Sequence, residues 1–211
     1  MDPETRDFYN KIAESWYNVR HWTIVEKELK QMNERWSRGK ILNIGCAHGP
    51  DFLPFDSSKF DFFGVDISEN LLKLAQKYYK KFKIKFNLSL ADACKLPFRN
   101  SSFDYIVSVA AIHHILDKIQ RIEALREMKR VLKKEAFVSV WNRKNPELPD
   151  KEVIEREWKH KNRILKRPYF MYTESGFEKE LKEAGFNVKK IETDERERNI
   201  FAIISPTKRP S

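Results

Sequence analysis

The sequence has few cysteines and no long apolar run, and each shortage narrows the class of protein. Its two cysteines, Cys46 and Cys94, have neither a CxxC spacing nor a nearby His/Cys cluster, so no metal site is expected. No apolar run approaches the roughly 20 residues that span a bilayer. The acidic start, Met1-Asp2-Pro3-Glu4, is unlike a signal peptide. We therefore expect a cytoplasmic protein with no membrane partner.

Glycine is also scarce, with six in 211 residues, whereas lysine and arginine are abundant. Lys and Arg outnumber Asp and Glu by 41 to 31, which gives a net charge of +10. This balance favours attraction to polyanions, including nucleic acid. The alternative is ordinary surface lysine of the kind found in proteins from hot environments. The hydrophobic share of 41% argues against wholesale disorder, and the length suits one domain.

Short apolar segments alternate with amphipathic helical ones along the chain. Helices are predicted over 5–36, after Ser68, over 119–132 and over 173–184. The predicted strands are 40–44, 62–65, 84–88, 104–109, 136–141, 186–191 and 199–205. Strands that are apolar on both faces predict a mostly parallel sheet with helices on each side.

The pattern changes at 145–149, where an apolar strand gives way to a basic, aromatic-bearing segment. We expect a single domain over 1–206, covered by helical residues 1–36 and by an insert over 142–172, with a tail at 207–211. Basic residues of the insert recur at helical spacing and predict a face that could track phosphates, although a solvated helix is the alternative. They are Arg156, Lys159, His160, Lys161, Arg163, Lys166 and Arg167.

Three segments that follow predicted strands carry the candidate chemistry. Residues 43–49 form a glycine-containing turn that allows close approach of backbone to a ligand. Asp66, at the tip of the next strand, could accept hydrogen bonds from both ribose hydroxyls of an adenosine, or could instead bind backbone donors at a helix N-terminus. Asp92, after the third strand, could accept from an adenine amine. An adenosine-containing ligand is therefore predicted.

Together with the 96–108 stretch, these segments resemble the class I S-adenosylmethionine methyltransferases. More narrowly, residues 108–114 (SVAAIHH), 121–125 and 138–141 resemble the tRNA wobble-uridine carboxymethyl methyltransferases, including the methyltransferase domain of the AlkB-like tRNA-modifying protein. Flanking residues 8–13, 20–22, 167–170 and 198–201 are similar to the same family. The resemblance implies a Rossmann-like α/β fold with a mostly parallel seven-stranded sheet. It also implies S-adenosylmethionine as cofactor, tRNA as substrate and a small zinc-binding activator protein as partner.

The resemblance also assigns positions around the cofactor, from its methionine end to its adenine. The positions implied to contact it are Tyr17, Asn43, Gly45, Ala47, Gly49, Asp66, Ile67, Asp92, Ala93, Val109 and Ala110. Two of these depart from the family pattern, which has an acidic residue at Asn43 and glycine at Ala47. Asn43 thereby removes a negative charge that would favour a cationic cofactor.

Methyl transfer to a carboxymethyl group would need no strong general base, because the carboxylate is already ionised near neutral pH. Catalysis would rest on positioning, with Arg20 orienting the carboxylate and His113 in the cleft. The remaining predicted substrate contacts are Trp22, His114, Trp141, Lys159, Lys161, Arg163, Lys166, Arg167 and Tyr169. Methylation of a small metabolite, and a cofactor-binding RNA scaffold without turnover, are the alternatives.

Overall fold

The computed structural model describes residues 3–207, so most of the predicted tail, 208–211, lies outside the described residues. Its helices are α1 Pro3–Val19, α2 Glu26–Arg35, α3 Glu69–Phe82, α4 Lys118–Val131 and α5 Glu174–Glu183. Its strands are β1 Gly39–Ile44, β2 Phe60–Asp66, β3 Phe86–Leu90, β4 Phe103–Val109, β5 Leu132–Trp141, β6 Val153–His160, β7 Arg163–Phe170, β8 Phe186–Thr193 and β9 Asn199–Pro206.

Seven of these strands form one sheet in the order β3-β2-β1-β4-β5-β9-β8. Strands β1 to β5 pair in parallel, and β9 runs antiparallel to both β5 and β8. The predicted fold class, a mostly parallel seven-stranded sheet, is confirmed. Because β1 lies between β2 and β4, the connections leave it toward opposite sides and open a crevice at its carboxyl end.

Helices cover both faces of the sheet, which explains why its strands are apolar on both sides. Leu42 and Ile44 of β1 pack in one core cluster, which includes Leu125 of α4 and Leu181 of α5. Ile41, which precedes Leu42 on the strand, belongs to a second cluster with residues of α2. Successive side chains of a strand point to opposite faces, so each face of β1 is buried under its own helices. Among residues 3–207, no helix is both long and apolar enough to cross a membrane.

The predicted helical spacing of the basic insert is wrong, because residues 153–170 form an antiparallel hairpin. Strands β6 and β7 pair from Val153 with Phe170 to His160 with Arg163, apart from the central sheet. The spacing that suggested a helix came from charged residues, which need no common buried face. The buried or half-buried side chains instead alternate, as Ile154 and Trp158 show, and alternation is typical of a strand.

The N-terminal covering and the third strand also differ in detail from the sequence prediction. The predicted helix over 5–36 is broken between Val19 and Glu26 into α1 and α2. The hydroxyl of Tyr78 on α3 donates to the backbone carbonyl of His21 and so holds the loop between α1 and α2 against α3. Strand β3 begins at Phe86 rather than at residue 84.

Candidate active site

A pocket opens at the carboxyl ends of the central strands, in the crevice beside β1. Gly45 and Ala47 follow β1, Asp66 ends β2 and Val109 ends β4, and all four line it. Helix α1 and the β6–β7 hairpin cover this opening. The sheet therefore supplies the floor of the pocket, whereas α1 and the hairpin supply its cover.

Most of the predicted cofactor and substrate positions meet in this pocket. The predicted cofactor residues that line it are Gly45, Ala47, Asp66, Ile67, Asp92, Ala93, Val109 and Ala110. The predicted catalytic and substrate residues that line it are Arg20, Trp22, His113, His114, Trp141 and Tyr169. Tyr17, Asn43 and Gly49 lie outside the lining, although Asn43 contacts a lining residue and Gly49 shapes the turn.

The turn after β1 brings backbone close to the pocket. Gly45 has φ +76°, and a Cβ on it would lie 2.5 Å from the Cβ of Ala111, so no larger residue fits there. Ala47 also has a positive φ, 48°, in the left-handed region where an alanine is strained by about 1–2 kcal/mol. Its N–H donates to Oδ2 of Asp66 at 2.8 Å, which ties this turn to the end of β2.

The carboxylate of Asp66 is buried at the floor of the pocket. Its Oδ1 accepts from the N–H of Ser68 at 2.8 Å, while Oδ2 accepts from Ala47. Burial raises the pKa of Asp66 to about 6, against the opposing effect of these N–H donors. The group is therefore mainly ionised at neutral pH, and each oxygen keeps a second lone pair. Its backbone contacts and a bidentate contact to ribose hydroxyls are compatible.

The adenine side of the pocket combines apolar side chains with one carboxylate. Ile67, Leu71 and Ala93 contribute apolar lining beside Asp92. Oδ1 of Asp92 accepts from the N–H of Cys94 at 2.9 Å, so the carboxylate also shapes the turn after β3. Apolar side chains with a hydrogen-bond acceptor beside them suit a purine base. Together with Gly45 and Asp66, they fit the adenosine half of S-adenosylmethionine.

His113 is fully buried, and its one hydrogen bond to the backbone determines which ring nitrogen carries the proton. The backbone N–H of Trp141 donates to Nδ1 of His113 at 3.1 Å, so Nδ1 is an acceptor. Burial, reinforced by the positive charge of Arg167, lowers the pKa of His113 to about 3. The neutral ring therefore carries its proton on Nε2, which has no hydrogen-bond partner among residues 3–207. His113 lines the pocket as a neutral donor.

His114 joins the pocket to its cover. Its Nε2 lies 3.1 Å from the hydroxyl of Tyr9 on α1, and its ring packs edge-on against that of Tyr9. Burial lowers the pKa of His114 well below its ordinary value, so this ring is also neutral. The rings of Trp141 and Tyr169 stack at 4.7 Å beside the two histidines. These four side chains form an aromatic wall on the acceptor side of the pocket.

The rest of the cover consists of tryptophans and an arginine near the pocket mouth. The rings of Trp16 and Trp158 lie 5.3 Å apart, and Nε1 of Trp158 donates to the hydroxyl of Ser15 at 2.9 Å. The guanidinium of Arg20 lies 5.3 Å from the ring of Trp16. Trp22 is 63% exposed, which leaves its indole available to a ligand entering from solvent.

The basic residues of the hairpin do not share one face. Arg156 and Arg167 are cross-strand partners on the inner face, and Arg156 lines the pocket. Lys159 and Lys166 lie on the outer face, where Lys166 pairs with Glu155 at 3.2 Å and Glu157 at 3.6 Å. The exposed Lys161 and Arg163 lie at the hairpin tip. The predicted continuous basic face is therefore divided, with most of its free charge at the tip.

Arg167 departs furthest from its predicted role. It is buried, and its Nη2 donates to the hydroxyl of Thr5 at 2.8 Å and to the carbonyl of His114 at 3.2 Å. A guanidinium enclosed in this way is not presented to phosphates on a surface. It fastens the hairpin to α1 and to the turn that carries the histidines.

Several pocket residues were not predicted to line the pocket, among them Tyr9, Asp51, Arg156 and Trp158. The alternation of Ile154, Arg156 and Trp158 was the available signal for the last two, since it places them on one face of a strand. Tyr9 and Asp51 had no comparable signal. Their positions depend on how α1 and the turn after Gly49 pack.

Comparison with known proteins supports what the fold and pocket indicate. Residues 41–135 match the family model described as a methyltransferase domain. Over 137 residues, 63% of this chain and 19% of the relative, the chain is 31% identical to tRNA (carboxymethyluridine(34)-5-O)-methyltransferase ALKBH8 of Mus musculus. Over 138 residues, 63% of this chain and 46% of the relative, it is 29% identical to the Saccharomyces cerevisiae tRNA (carboxymethyluridine(34)-5-O)-methyltransferase. The chain thus spans less than half the length of these relatives.

A solved structure agrees with the fold over the whole length. The methyltransferase determined in complex with the Trm112 methyltransferase activator of Haloferax volcanii has a TM-score of 0.72. It is 16% identical, and the match covers 99% of each chain. The sheet order, the crevice beside β1 and the family match therefore identify an S-adenosylmethionine-dependent methyltransferase domain within this chain, over residues 41–135.

Proposed function

We propose that this protein methylates the carboxymethyl group of a tRNA wobble uridine to its methyl ester. The observation that carries the reaction type is the protonation of His113, whose Nδ1 accepts from Trp141 and whose Nε2 bears the proton. A ring in this state donates a hydrogen bond and does not remove a proton. An ionised carboxylate needs no base, so it suits this site better than an amine or a hydroxyl acceptor.

When bound, S-adenosylmethionine supplies an electrophilic methyl group, whose carbon forms a bond to the acceptor oxygen while its bond to sulfur breaks and leaves the electron pair on sulfur. The protein's contribution is to hold the acceptor in line with that methyl group. His113 donates from Nε2 to the acceptor as a neutral ring. Arg20 and Arg156, both in the pocket lining, fix the carboxylate by charge.

The tRNA assignment is supported by the names of the relatives and by the distribution of charge. The net charge is +10, and Lys161 and Arg163 add exposed positive charge at the hairpin tip. Phosphates approaching this tip would bring a flipped base toward Trp22 and the aromatic wall. Lys159 joins this surface from the outer face of β6, whereas Lys166 is already paired with glutamates.

We further propose that a small zinc-binding activator protein binds this chain. The support is the likeness of the fold to the Haloferax volcanii methyltransferase solved with its Trm112 activator. Activity of the chain is therefore expected to rise when such an activator is co-expressed, and cofactor binding should be measured both with and without it.

The decisive experiment is mass spectrometry of tRNA nucleosides from cells that lack this protein. We expect a carboxymethyl nucleoside to accumulate, and the purified protein with S-adenosylmethionine to convert that tRNA to the methyl ester. An unchanged nucleoside profile would overturn the tRNA assignment and favour a small-molecule acceptor. Cofactor binding without methylation of either tRNA or a small molecule would favour a cofactor-binding RNA scaffold that does not turn over.

A matched pair of variants tests the role of His113. His113→Gln keeps an N–H donor and should retain more methyl transfer than His113→Ala, with cofactor affinity unchanged in both. The wild-type rate for methyl transfer at saturating substrates should not fall between pH 7.5 and 6, because His113 is already neutral. Equal activity of the two variants would show that the hydrogen bond is not used.

A further inference from the structure

The turn after Gly49 places a further carboxylate in the pocket, that of Asp51, beside those of Asp66 and Asp92. This side chain is 6% exposed and lines the pocket, at the start of the short 3-10 turn Pro50–Phe52. Nδ2 of Asn43, itself fully buried on β1, donates to Oδ2 of Asp51 at 3.2 Å. The amide at position 43 therefore positions a carboxylate that comes from eight residues further along the chain.

This carboxylate has no positive partner within the described chain. No Lys, Arg or His of residues 3–207 forms an ion pair with Asp51, and its polar contacts are with Asn43 and Thr23. Burial raises the pKa of Asp51 to about 6, which still leaves it mainly ionised at neutral pH. A buried charge without a counter-ion is unfavourable by roughly several kcal/mol, so a cationic ligand would be bound strongly.

The cofactor assigned to this pocket carries two positive groups, a sulfonium and an α-ammonium. An ammonium has N–H donors that form charge-assisted hydrogen bonds with a carboxylate, whereas a sulfonium has none. Asn43 itself lies outside the pocket lining, so among these two side chains only the carboxylate of Asp51 faces the ligand. The local chemistry thus matches an ammonium group better than a sulfonium.

We propose that Asp51 replaces the acidic residue that the methyltransferase pattern places at position 43, and that it binds the α-ammonium of S-adenosylmethionine. The proposal rests on the cofactor part of the proposed function and not on tRNA as the substrate. Asn43 acts as a positioning residue, because it holds the carboxylate of Asp51 through Nδ2. The missing charge at position 43 is supplied from the following turn.

The test is calorimetry with three ligands that differ in their charged groups. S-adenosylmethionine carries both cations, S-adenosylhomocysteine carries only the ammonium, and 5′-methylthioadenosine carries neither. For Asp51→Asn, which keeps the size of the side chain, we expect affinity for the first two to fall about 10- to 100-fold. Affinity for 5′-methylthioadenosine should be unchanged, and Asp61→Asn, an exposed change on β2, should affect none of the three.

The exchange variant Asn43→Asp/Asp51→Asn provides a second measurement. It returns the carboxylate to β1 and should restore affinity for S-adenosylhomocysteine to within about 3-fold of wild type, since the charge stays in the same part of the pocket. Equal loss for all three ligands in Asp51→Asn would overturn the proposal in favour of a structural role. Loss for S-adenosylmethionine alone would assign Asp51 to the sulfonium instead.

The remaining outcomes separate this proposal from the proposed function. Unchanged affinities in Asp51→Asn would overturn the role of Asp51 and leave the cofactor assignment standing. Wild-type protein that binds none of the three ligands, with or without the activator, would overturn the cofactor assignment and this proposal together. Failure to methylate tRNA, with the ligand pattern as expected, would overturn only the choice of substrate.

Discussion

The floor of the pocket and its cover are held together in different ways. The floor uses backbone groups at strand ends, such as Ala47 N–H with Asp66 and Ala110 N–H with Ser139. The cover uses side chains far apart in sequence, such as Tyr9 with His114 and Trp158 with Ser15. Backbone contacts at strand ends follow from the sheet, whereas the cover requires three separate segments to pack together. We therefore expect cofactor binding to depend on the floor and acceptor binding on the cover.

The largest effect is expected from Asp66→Asn in the floor. The substitution removes the negative charge that would accept hydrogen bonds from the ribose hydroxyls. Hydrogen bonds to a charged group contribute about 1.5–3 kcal/mol each. The affinity for S-adenosylmethionine should therefore fall about 100-fold. Calorimetry measures the dissociation constant, and Asp61→Asn on the same strand is the control. A change of less than about 3-fold would assign Asp66 to backbone contacts only.

Acidification should weaken cofactor binding through the same floor. Burial raises the pKa of Asp66 to about 6, so its carboxylate accepts hydrogen bonds fully above that pH and is progressively protonated below it. Affinity for S-adenosylmethionine should therefore fall about 10-fold between pH 7.5 and pH 5 through this group. Titrations across this range measure the effect, and Asp66→Asn should show a flatter profile. An affinity that rises toward low pH would contradict the expected sign.

In the cover, the two faces of β6 should behave differently. Arg156 on the inner face lines the pocket, whereas Lys159 points to the outer side. Arg156→Ala should raise the KM for the carboxylate acceptor about 10-fold with cofactor affinity unchanged, because one charge-assisted contact is lost. Lys159→Ala should change tRNA affinity about 3-fold or less and mainly at low salt. If Arg156→Ala and Lys159→Ala changed the KM for the acceptor equally, the two faces of β6 would not differ in function.

The smallest effect concerns strain in the floor. Ala47 has φ 48°, which glycine adopts without the steric penalty of about 1–2 kcal/mol that alanine meets there. Since glycine also loses more backbone entropy on folding, Ala47→Gly should raise the free energy of unfolding by only about 0.5 kcal/mol. Thermal unfolding measures this. Ala75→Gly in the interior of α3 is the contrasting control and should lower the same quantity by about 1 kcal/mol.

The sequence located pocket residues most directly at the ends of predicted strands. Gly45, Asp66 and Asp92 each follow a predicted strand, and parallel strands bring those ends to one edge. The hairpin shows the opposite case, since its charged residues suggested a helix while its buried ones alternate. Arg167 was predicted as a phosphate contact but is buried against Thr5 and His114. Its cross-strand partner Arg156, predicted for the same phosphate-tracking face, lines the pocket instead.

By itself, the sequence determined the alternation of strands and helices, the parallel sheet and the turn and carboxylates at its edge, because these depend on local periodicity and on residues next to strand ends. Only the tertiary structure decided which ring nitrogen of His113 carries the proton, since Nδ1 accepts from the backbone N–H of Trp141. It also decided that Asn43 would be paired with Asp51 and that α1 would meet the hairpin over the pocket. Such contacts join segments that no local pattern relates, so their geometry is fixed only when the chain has packed.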